Sequence, residues 1–440
     1  MRIYKIILLF LLIAKEGLPL YGQANKSHTH TLQECVEIAL QNNARVHQSQ
    51  LQVRRDRVDY RQSWQNQLPN LQANMSHGLN QGRSIDPTTN QFIEETIRAG
   101  NQSLTTDITV FNGFKMFHDI RMKSSALEAG KLEYEGQQNE VKLDVIEAYI
   151  EVLTAKDMLK QAELQYEVTK EQLRRSDVMY QEGAFPPADY YDIKGQVNAD
   201  LNLIESMKQT LYNSRVNLAG LLYITENELG EIKEIPLSTD VQEQDTERLF
   251  KTARDTLPEY KSWTWRIKEA EQALKIAKSA YYPSLQLGAG LNSRYSNANN
   301  RNYLDQIKNN LGKYLSLNLQ IPLFSRFITR NQVENARINL EDVYWQEQQA
   351  INVLKQNTAK AVFDLRSSRE SIKNLESQER SYRESFRVAQ VQFDLGASNS
   401  VMYLTAKNKL DNTRNQLLLK KYEWILQKYI NDYYSGKLNL

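Results

Sequence analysis

The stretch that decides the fold is FKMFHDIRMKSSALEAGKLEYEGQQNEVKLDVIEAYIEVLTAKDMLKQAELQYEVTKEQLRRSDVMYQE, Phe114 to Glu182, bounded by Gly113 and Gly183. It contains no proline and is rich in Leu, Glu, Lys, Gln and Ala, which lose little freedom in a helix. These 69 residues predict a single helix, roughly 100 Å long at 1.5 Å rise per residue. A rod of that length cannot fold back into an ordinary globular core, so other long helices must cover its apolar stripe. Leu127, Leu132, Val141, Val145, Ile146, Tyr149, Leu153, Leu159, Leu164 and Val168 supply the stripe at mixed helical spacings.

Working outward, the chain is written twice, at an offset of 213–214 residues. Leu68-Pro69-Asn70-Leu71-Gln72 recurs as Tyr282-Pro283-Ser284-Leu285-Gln286. Val110-Phe111-Asn112-Gly113-Phe114 recurs as Leu323-Phe324-Ser325-Arg326-Phe327, and Tyr180-Gln181-Glu182-Gly183-Ala184 as Phe393-Asp394-Leu395-Gly396-Ala397. Each unit reads helix, strand, strand, long helix, turn, helix. The first spans residues 31–222 and the second 248–438, joined by an irregular linker, 223–247, with Gly230 and Pro236. Thr31 to Gln67 is expected as the opening helix, ended by Pro69. All nine prolines fall at boundaries, loops, turns, the linker or the leader, and none interrupts a long helix.

The period then changes from helical to two. Leu71, Ala73, Met75 and Leu79 alternate with polar residues, as do Leu104, Thr106, Ile108 and Val110. In the second unit the alternating positions are Leu285, Leu287, Ala289 and Leu291, then Leu315, Leu317, Leu319 and Ile321. Strands are expected near 71–80, 103–111, 284–292 and 314–321, each about ten residues, a length that crosses a bilayer core at a tilt. Polar loops, Gln81–Asn101 and Ser293–Gly312, join each pair. Tyr281, Tyr282, Phe111, Phe114, Phe324 and Phe327 sit at strand ends, where a membrane-interface belt places aromatics. Four strands cannot close a membrane barrel, and an open sheet in lipid leaves costly unpaired edges, so other chains must complete it. Twelve strands from three chains would leave a lumen, which eight would fill with side chains.

The N-terminus supplies a destination. Arg2 and Lys5 precede the apolar run Ile6 to Ala14 and then small residues to Ala24, the pattern of a secretory signal, residues 1–22, with cleavage after Gly22 or after Ala24. The mature chain from residue 23 keeps 52 basic and 52 acidic side chains. That balance excludes a basic nucleic-acid binder. Cys35, the one cysteine, lies in an apolar helical pattern and is expected to be buried and structural. His28 and His30 are expected in a disordered leader. No His-Glu-x-x-His, phosphate-binding glycine loop or Cys-x-x-Cys is present, so no catalytic, cofactor or metal site is expected. Gly288-Ala289-Gly290 falls inside a strand pattern and is read as permitting close packing. Tyr422, Trp424, Tyr429, Tyr433 and Tyr434 are read as packing between helices.

From about Thr31 to Leu438 the chain resembles the TolC-like outer-membrane efflux proteins. The match is carried by Thr31-Leu32, Ala39-Leu40 and Asn42-Asn43, both Pro-x-Leu strand entries, the Val110-Phe111-Asn112-Gly113 segment and both helix tips. After Gly183 come Asp189, Ala199, Leu201, Leu211, Leu218 and Leu221; after Gly396 come Val401, Leu404, Ala406 and Leu410. The resemblance implies a mainly α fold with a small membrane β-barrel: a homotrimer whose twelve strands cross the outer membrane and whose antiparallel coiled-coil helices form a periplasmic tunnel. It implies a passive conduit of a tripartite efflux or type I secretion system, fed by an inner-membrane pump of RND or ABC type through a periplasmic adaptor. The tips Gly183, Ala184, Phe185, Gly396, Ala397 and Ser398 would then meet the adaptor, and Asp189, Asp192, Phe393, Ser398, Met402, Tyr403 and Thr405 would form the periplasmic aperture. The acidic rings and basic latch of well-known members have no counterpart here: Ser398, Met402 and Thr405 stand at the corresponding positions, while acids remain as Asp189 and Asp192. Closure is therefore expected to rely on packing by Phe393, Met402 and Tyr403 with polar contacts from Asp189, and cation block should be weak. The competing class is a structural coiled-coil envelope protein without a pore, which gives no reason for a twice-repeated hairpin of membrane length.

Overall fold

The computed structural model describes residues 29–85, 90–94, 96–236 and 245–438. The expected signal, His28 and residues 237–244 of the expected linker lie outside them. The chain enters as a short strand, β1 (Thr29–His30), followed by α1 (Leu32–Asn42) and α2 (Ala44–Gln65). Thr31 and Glu34 close α1 with a capping box. The single opening helix expected over Thr31–Gln67 is broken at Asn43, whose backbone is extended. Its side chain accepts from the Arg45 amide at 2.9 Å and donates to the Leu221 carbonyl at 3.3 Å. An asparagine that can bond both ways locally competes with the helix ladder, so it serves better as a cap than as an interior residue.

The sheet strands are β2 (Gln72–Asn80) and, after the short hairpin β3 (Ser84–Ile85) and β4 (Phe92–Ile93), β5 (Ile97–Asn112). Next come α3 (Lys115–Gln181) and α4 (Pro187–Leu222). The linker holds a 3-10 turn, Glu226–Glu228, and β6 (Glu231–Ile232), which pairs in parallel with β1. The second half follows with α5 (Thr246–Thr256), α6 (Pro258–Ser279), β7 (Ser284–Ser296), α7 (Tyr303–Asn309), β8 (Gly312–Gln320), α8 (Ile328–Asp394) and α9 (Ser400–Tyr434). The helix expected over Phe114–Glu182 thus forms almost end to end, and α8 matches it at 67 residues. No helix among the described residues is long and apolar enough to cross a membrane.

The four long strands form one antiparallel sheet in the order β2-β5-β7-β8. Two strands outrun their expected ends: β5 begins at Ile97 and β7 continues to Ser296, because Ala99 pairs with Ser296 beyond the range of the alternation. The register sorts the faces. Leu104, Leu291, Ala289, Leu315, Leu287, Leu317 and Met75 fall on one face, and Thr105, Ser103, Gly290, Asn292, Ser316, Gln286 and Asn318 on the other. The apolar face is bare: Met75 is 80% exposed and Leu315 74%. A bulge between Thr109 and Phe111 takes Val110 out of the alternating series expected for it and sets Phe111 opposite Leu285 on the apolar face. On the polar face, a Cβ at Gly290 would lie 2.6 Å from the Tyr314 ring, which explains that glycine by packing alone.

Both long helices start from two consecutive residues in the left-handed region: Gly113 and Phe114, then Arg326 and Phe327, with φ between 54° and 66°. The turn swings the chain from sheet to helix and sets Phe111 edge-on to Phe114 at 5.3 Å and Phe324 edge-on to Phe327 at 5.7 Å. The main core lies midway along the helices, where α1, α3, α4 and α9 bury Val36, Ala39, Val141, Val145, Tyr149, Leu153, Leu218, Leu222 and Trp424. Cys35 sits in it, and burial first, with the Glu34 carboxylate adding, pushes its thiol up to about 12. Tyr422 and Trp424 are likewise buried between helices.

His30 corrects the disordered-leader expectation. It is buried, its Nδ1 lies 2.7 Å from the Leu229 carbonyl, and its own carbonyl accepts from the Lys233 amide at 3.1 Å. The Tyr149 hydroxyl reaches the carbonyls of His30 (3.1 Å) and Lys233 (2.6 Å), pinning both strands of the β1–β6 pair to α3. Pairing with a segment about 200 residues away supplied the order that local polarity did not suggest.

Candidate functional site

The site lies at the end of the helices remote from the sheet, where α3 turns into α4 and α8 into α9. Each turn is a Schellman cap. At the first, the Gly183 amide donates to Tyr180 O at 3.0 Å and the Ala184 amide to Met179 O at 2.9 Å; at the second, Gly396 donates to Phe393 O at 3.0 Å and Ala397 to Gln392 O at 2.8 Å. The two glycines have φ of +73° and +71°, and nothing lies within 4 Å of where a Cβ would be, so backbone conformation alone selects glycine there. Pro187 then opens α4 and Asn399 caps α9 by accepting from the Met402 amide at 3.0 Å.

The two tips are joined within the chain. Asp189 Oδ1 accepts from the Ser400 amide at 2.9 Å and Asp192 Oδ2 from the Ser400 hydroxyl at 2.7 Å. The two acids of the first tip therefore bind the first residue of the helix leaving the second, where unsatisfied amides and the positive end of the dipole favour a carboxylate. Behind them Phe393 and Tyr403 stack at 5.0 Å, Phe185 stands edge-on to Phe393 at 5.6 Å, and Ile193 completes a buried cluster. Met402 is exposed and lies outside the cluster with which the sequence grouped it. Thr405 is exposed and Ser398 half-buried. The structure thus brings together Asp189, Asp192, Phe185, Phe393 and Tyr403, and leaves Met402 and Thr405 on the outer surface of the single chain.

The tips differ in their surfaces. Tyr180 and Tyr190 stack at 4.5 Å with Tyr191 against both, so the first tip carries an aromatic patch, whereas the turn Leu395-Gly396-Ala397-Ser398 has none. Above the tips the seam between the hairpins is polar. Gln172 donates across it to Asp394 at 3.1 Å and Gln165 to Asn415 at 3.5 Å, while Thr169 donates to Asp200 within the first hairpin at 2.5 Å. Sequence reasoning missed these residues together with Ser400. Their signal was present: Gln165, Thr169, Gln172 and Ser176 recur at three- and four-residue spacing, where the preceding turns of the helix place apolar side chains. Among the described residues no group of His, Cys, Asp or Glu is placed to hold a metal.

A family model described as Outer membrane efflux protein matches residues 35–222 and 249–428. The chain is 21% identical over 340 residues to the outer membrane protein TolC of Salmonella enteritidis, covering 77% of this chain and 69% of that one. Among solved structures, the Campylobacter jejuni CmeC outer membrane channel superposes with a TM-score of 0.79 at 17% identity, covering 92% of this chain and 86% of that one. The outer membrane protein VceC from Vibrio cholerae gives 0.79 at 15%, covering 93% and 97%. At these identities the structural likeness establishes the fold, while the family match runs through both long helices and both tips. The chain therefore belongs to the outer membrane efflux protein family.

Proposed function

We propose that three copies of the chain assemble into an outer-membrane channel-tunnel that conducts substrates passively from an inner-membrane pump across the periplasm and outer membrane. The observation that carries this reading is the sheet. Its two edge strands, β2 and β8, are unpaired on their outer sides among the described residues, one face is bare and apolar, and the other is polar. In water that arrangement would expose both an aggregation-prone edge and a large apolar surface; in lipid, closure with further copies satisfies the edges and leaves the polar face lining a lumen. The helices offer a matching surface, since Ile338, Trp345 and Phe363 lie on one side of α8 and the latter two are each 68% exposed. A second copy would cover them.

In this reading the loops at the far end of the sheet face outside the cell, and the tips around Gly183 and Gly396 meet a periplasmic adaptor in a tripartite or type I system with an RND or ABC pump. Asp189, Asp192, Phe393, Ser398, Met402, Tyr403 and Thr405 surround the aperture, with Met402 and Thr405 on the side left free for neighbouring copies. The test is expression in a Gram-negative host, followed by outer-membrane isolation, electrophoresis with and without boiling, and planar-bilayer recording. A heat-labile trimer with discrete conductance steps is the expected result. A water-soluble product without channel activity would overturn the conduit in favour of a structural coiled coil.

A further inference from the structure

Above the tips, α3, α4 and α9 close around a buried ionic group. Lys407 on α9 is 2% exposed; its Nζ lies 3.3 Å from Asp200 Oδ2 on α4 and 2.9 Å from Asp411 Oδ2 one turn along its own helix. Asp200 also accepts from the Thr169 hydroxyl of α3 at 2.5 Å and from Gln196 Nε2 at 2.7 Å. Asp411 has Lys407 as its one hydrogen-bonding partner among the described residues. The other charged groups that face this region are Arg175, Asp394, Glu379, Arg383 and Arg414, and the two arginines that share Glu379 leave one positive charge over, close to Asp411. Arg175 of α3 pairs with Asp394 of α8 at 3.5 Å, and Glu379 of α8 takes Arg383 at 2.7 Å and Arg414 of α9 at 3.0 Å. Burial would raise Glu379, yet the hydrogen bonds from Arg383 and Arg414 hold it below the usual carboxylate range. The Tyr403 hydroxyl is pushed up by burial and by the fields of Asp394 and Asp411, so it stays neutral. Two carboxylates therefore share one ammonium in a site largely closed to water, so within the triad one carboxylate has no cation of its own, and only the field of Arg414 reaches it from outside.

We propose that the Asp200–Lys407–Asp411 triad is a proton-binding site that tightens the join between α9 and the α3–α4 hairpin as the surroundings become acidic. Protonating Asp411 leaves Asp200 and Lys407 as a balanced pair and removes the second carboxylate's buried charge and its repulsion with Asp200. Burial raises the Asp411 carboxyl, with Lys407 and Arg414 opposing and Asp200 adding. Separating α9 from α4 would hydrate Asp411 and restore its ordinary acidity. The packed state thus binds the proton more tightly than the separated one. Falling pH favours packing and rising pH favours separation, by up to about tenfold per pH unit for one proton. The packing claim stands on the chain alone; its consequence for a tunnel aperture rests on the conduit reading.

Amide hydrogen exchange of the detergent-extracted, full-length protein over residues 403–411, corrected for intrinsic rates, tests this at about pH 5 and about pH 7.5. The wild type should be several-fold better protected in acid, and Asp411→Asn, which carries no charge, should show the acid level at both values. Lys407→Met, which leaves two carboxylates facing each other, should lower protection at neutral pH and steepen the response. Equal protection of the wild type at both values, or an Asp411→Asn chain that keeps the wild-type pH response, would overturn the proposal. These readouts do not depend on conductance, so a failed channel recording strikes the conduit reading and leaves this one standing.

Discussion

The helix α3 is built in two ways along its length. From Val141 to Ala162 it turns Val141, Val145, Ala148, Tyr149, Val152 and Ala155 into the middle of the bundle; from Gln165 to Ser176 the same seam carries Gln165, Thr169, Gln172 and Ser176, all equally buried. The apolar part is held by area removed from water, which is non-directional and tolerates small shifts. The polar part is held by bonds that need particular partners at particular heights: Asp200 for Thr169, Asp394 for Gln172 and Asn415 for Gln165. Such a seam specifies register strictly, yet it can separate at lower cost, because the freed groups find water. The middle of the molecule is held by apolar area, and the end near the tips by polar pairs that fix one register between the helices.

Three substitutions would break or sharpen that contrast. The largest effect is expected at the middle: Leu153→Ala removes a fully buried side chain from the main core and should cost about 2–5 kcal/mol, read as a lower midpoint in denaturant. At the polar seam, Thr169→Val keeps the shape but takes a donor from Asp200. It should cost about 1–3 kcal/mol, with faster amide exchange around Asp200 and Lys407 and little change near Tyr149. An equal loss of protection in both regions would show that the helix responds as one body and would remove the contrast. The smallest effect is expected at the turns: Gly183→Ala meets no neighbouring atom, so only the left-handed backbone resists it, at about 1 kcal/mol, confined to exchange at the tip.

Much of this was legible in the residues because it depends on local periodicity. The long helix, the placement of the prolines, the change of period at Leu71 and the glycine turns each follow from what neighbouring residues can do. Asn43 shows the limit. Its neighbours read as helix, and the interruption appears once Leu221 offers a carbonyl from another part of the chain. Val110 shows a second limit: the alternating series includes it, but pairing with Leu285 and Gln286 forces a bulge there. His30 shows a third, since a polar leader became a paired strand through Tyr149 and residues 229–233.

The candidate site divides in the same way. Gly183, Gly396, Asp189 and Asp192 stand out in the sequence by residue type and position. Ser400, Thr169 and Lys407 do not, because a serine, a threonine or a lysine on a long helix ordinarily faces water. By itself, then, the sequence determined the rods, the strands with one apolar face and the turns that reverse the helices, since each is set by contacts within a few residues or by a repeating period. Only the tertiary structure decided which acids cap which helix, which polar groups are buried and which charges share a partner. Those outcomes depend on the relative height of helices whose closest approaches join residues more than 200 positions apart, as at Asp189 and Ser400, and no local pattern carries that distance.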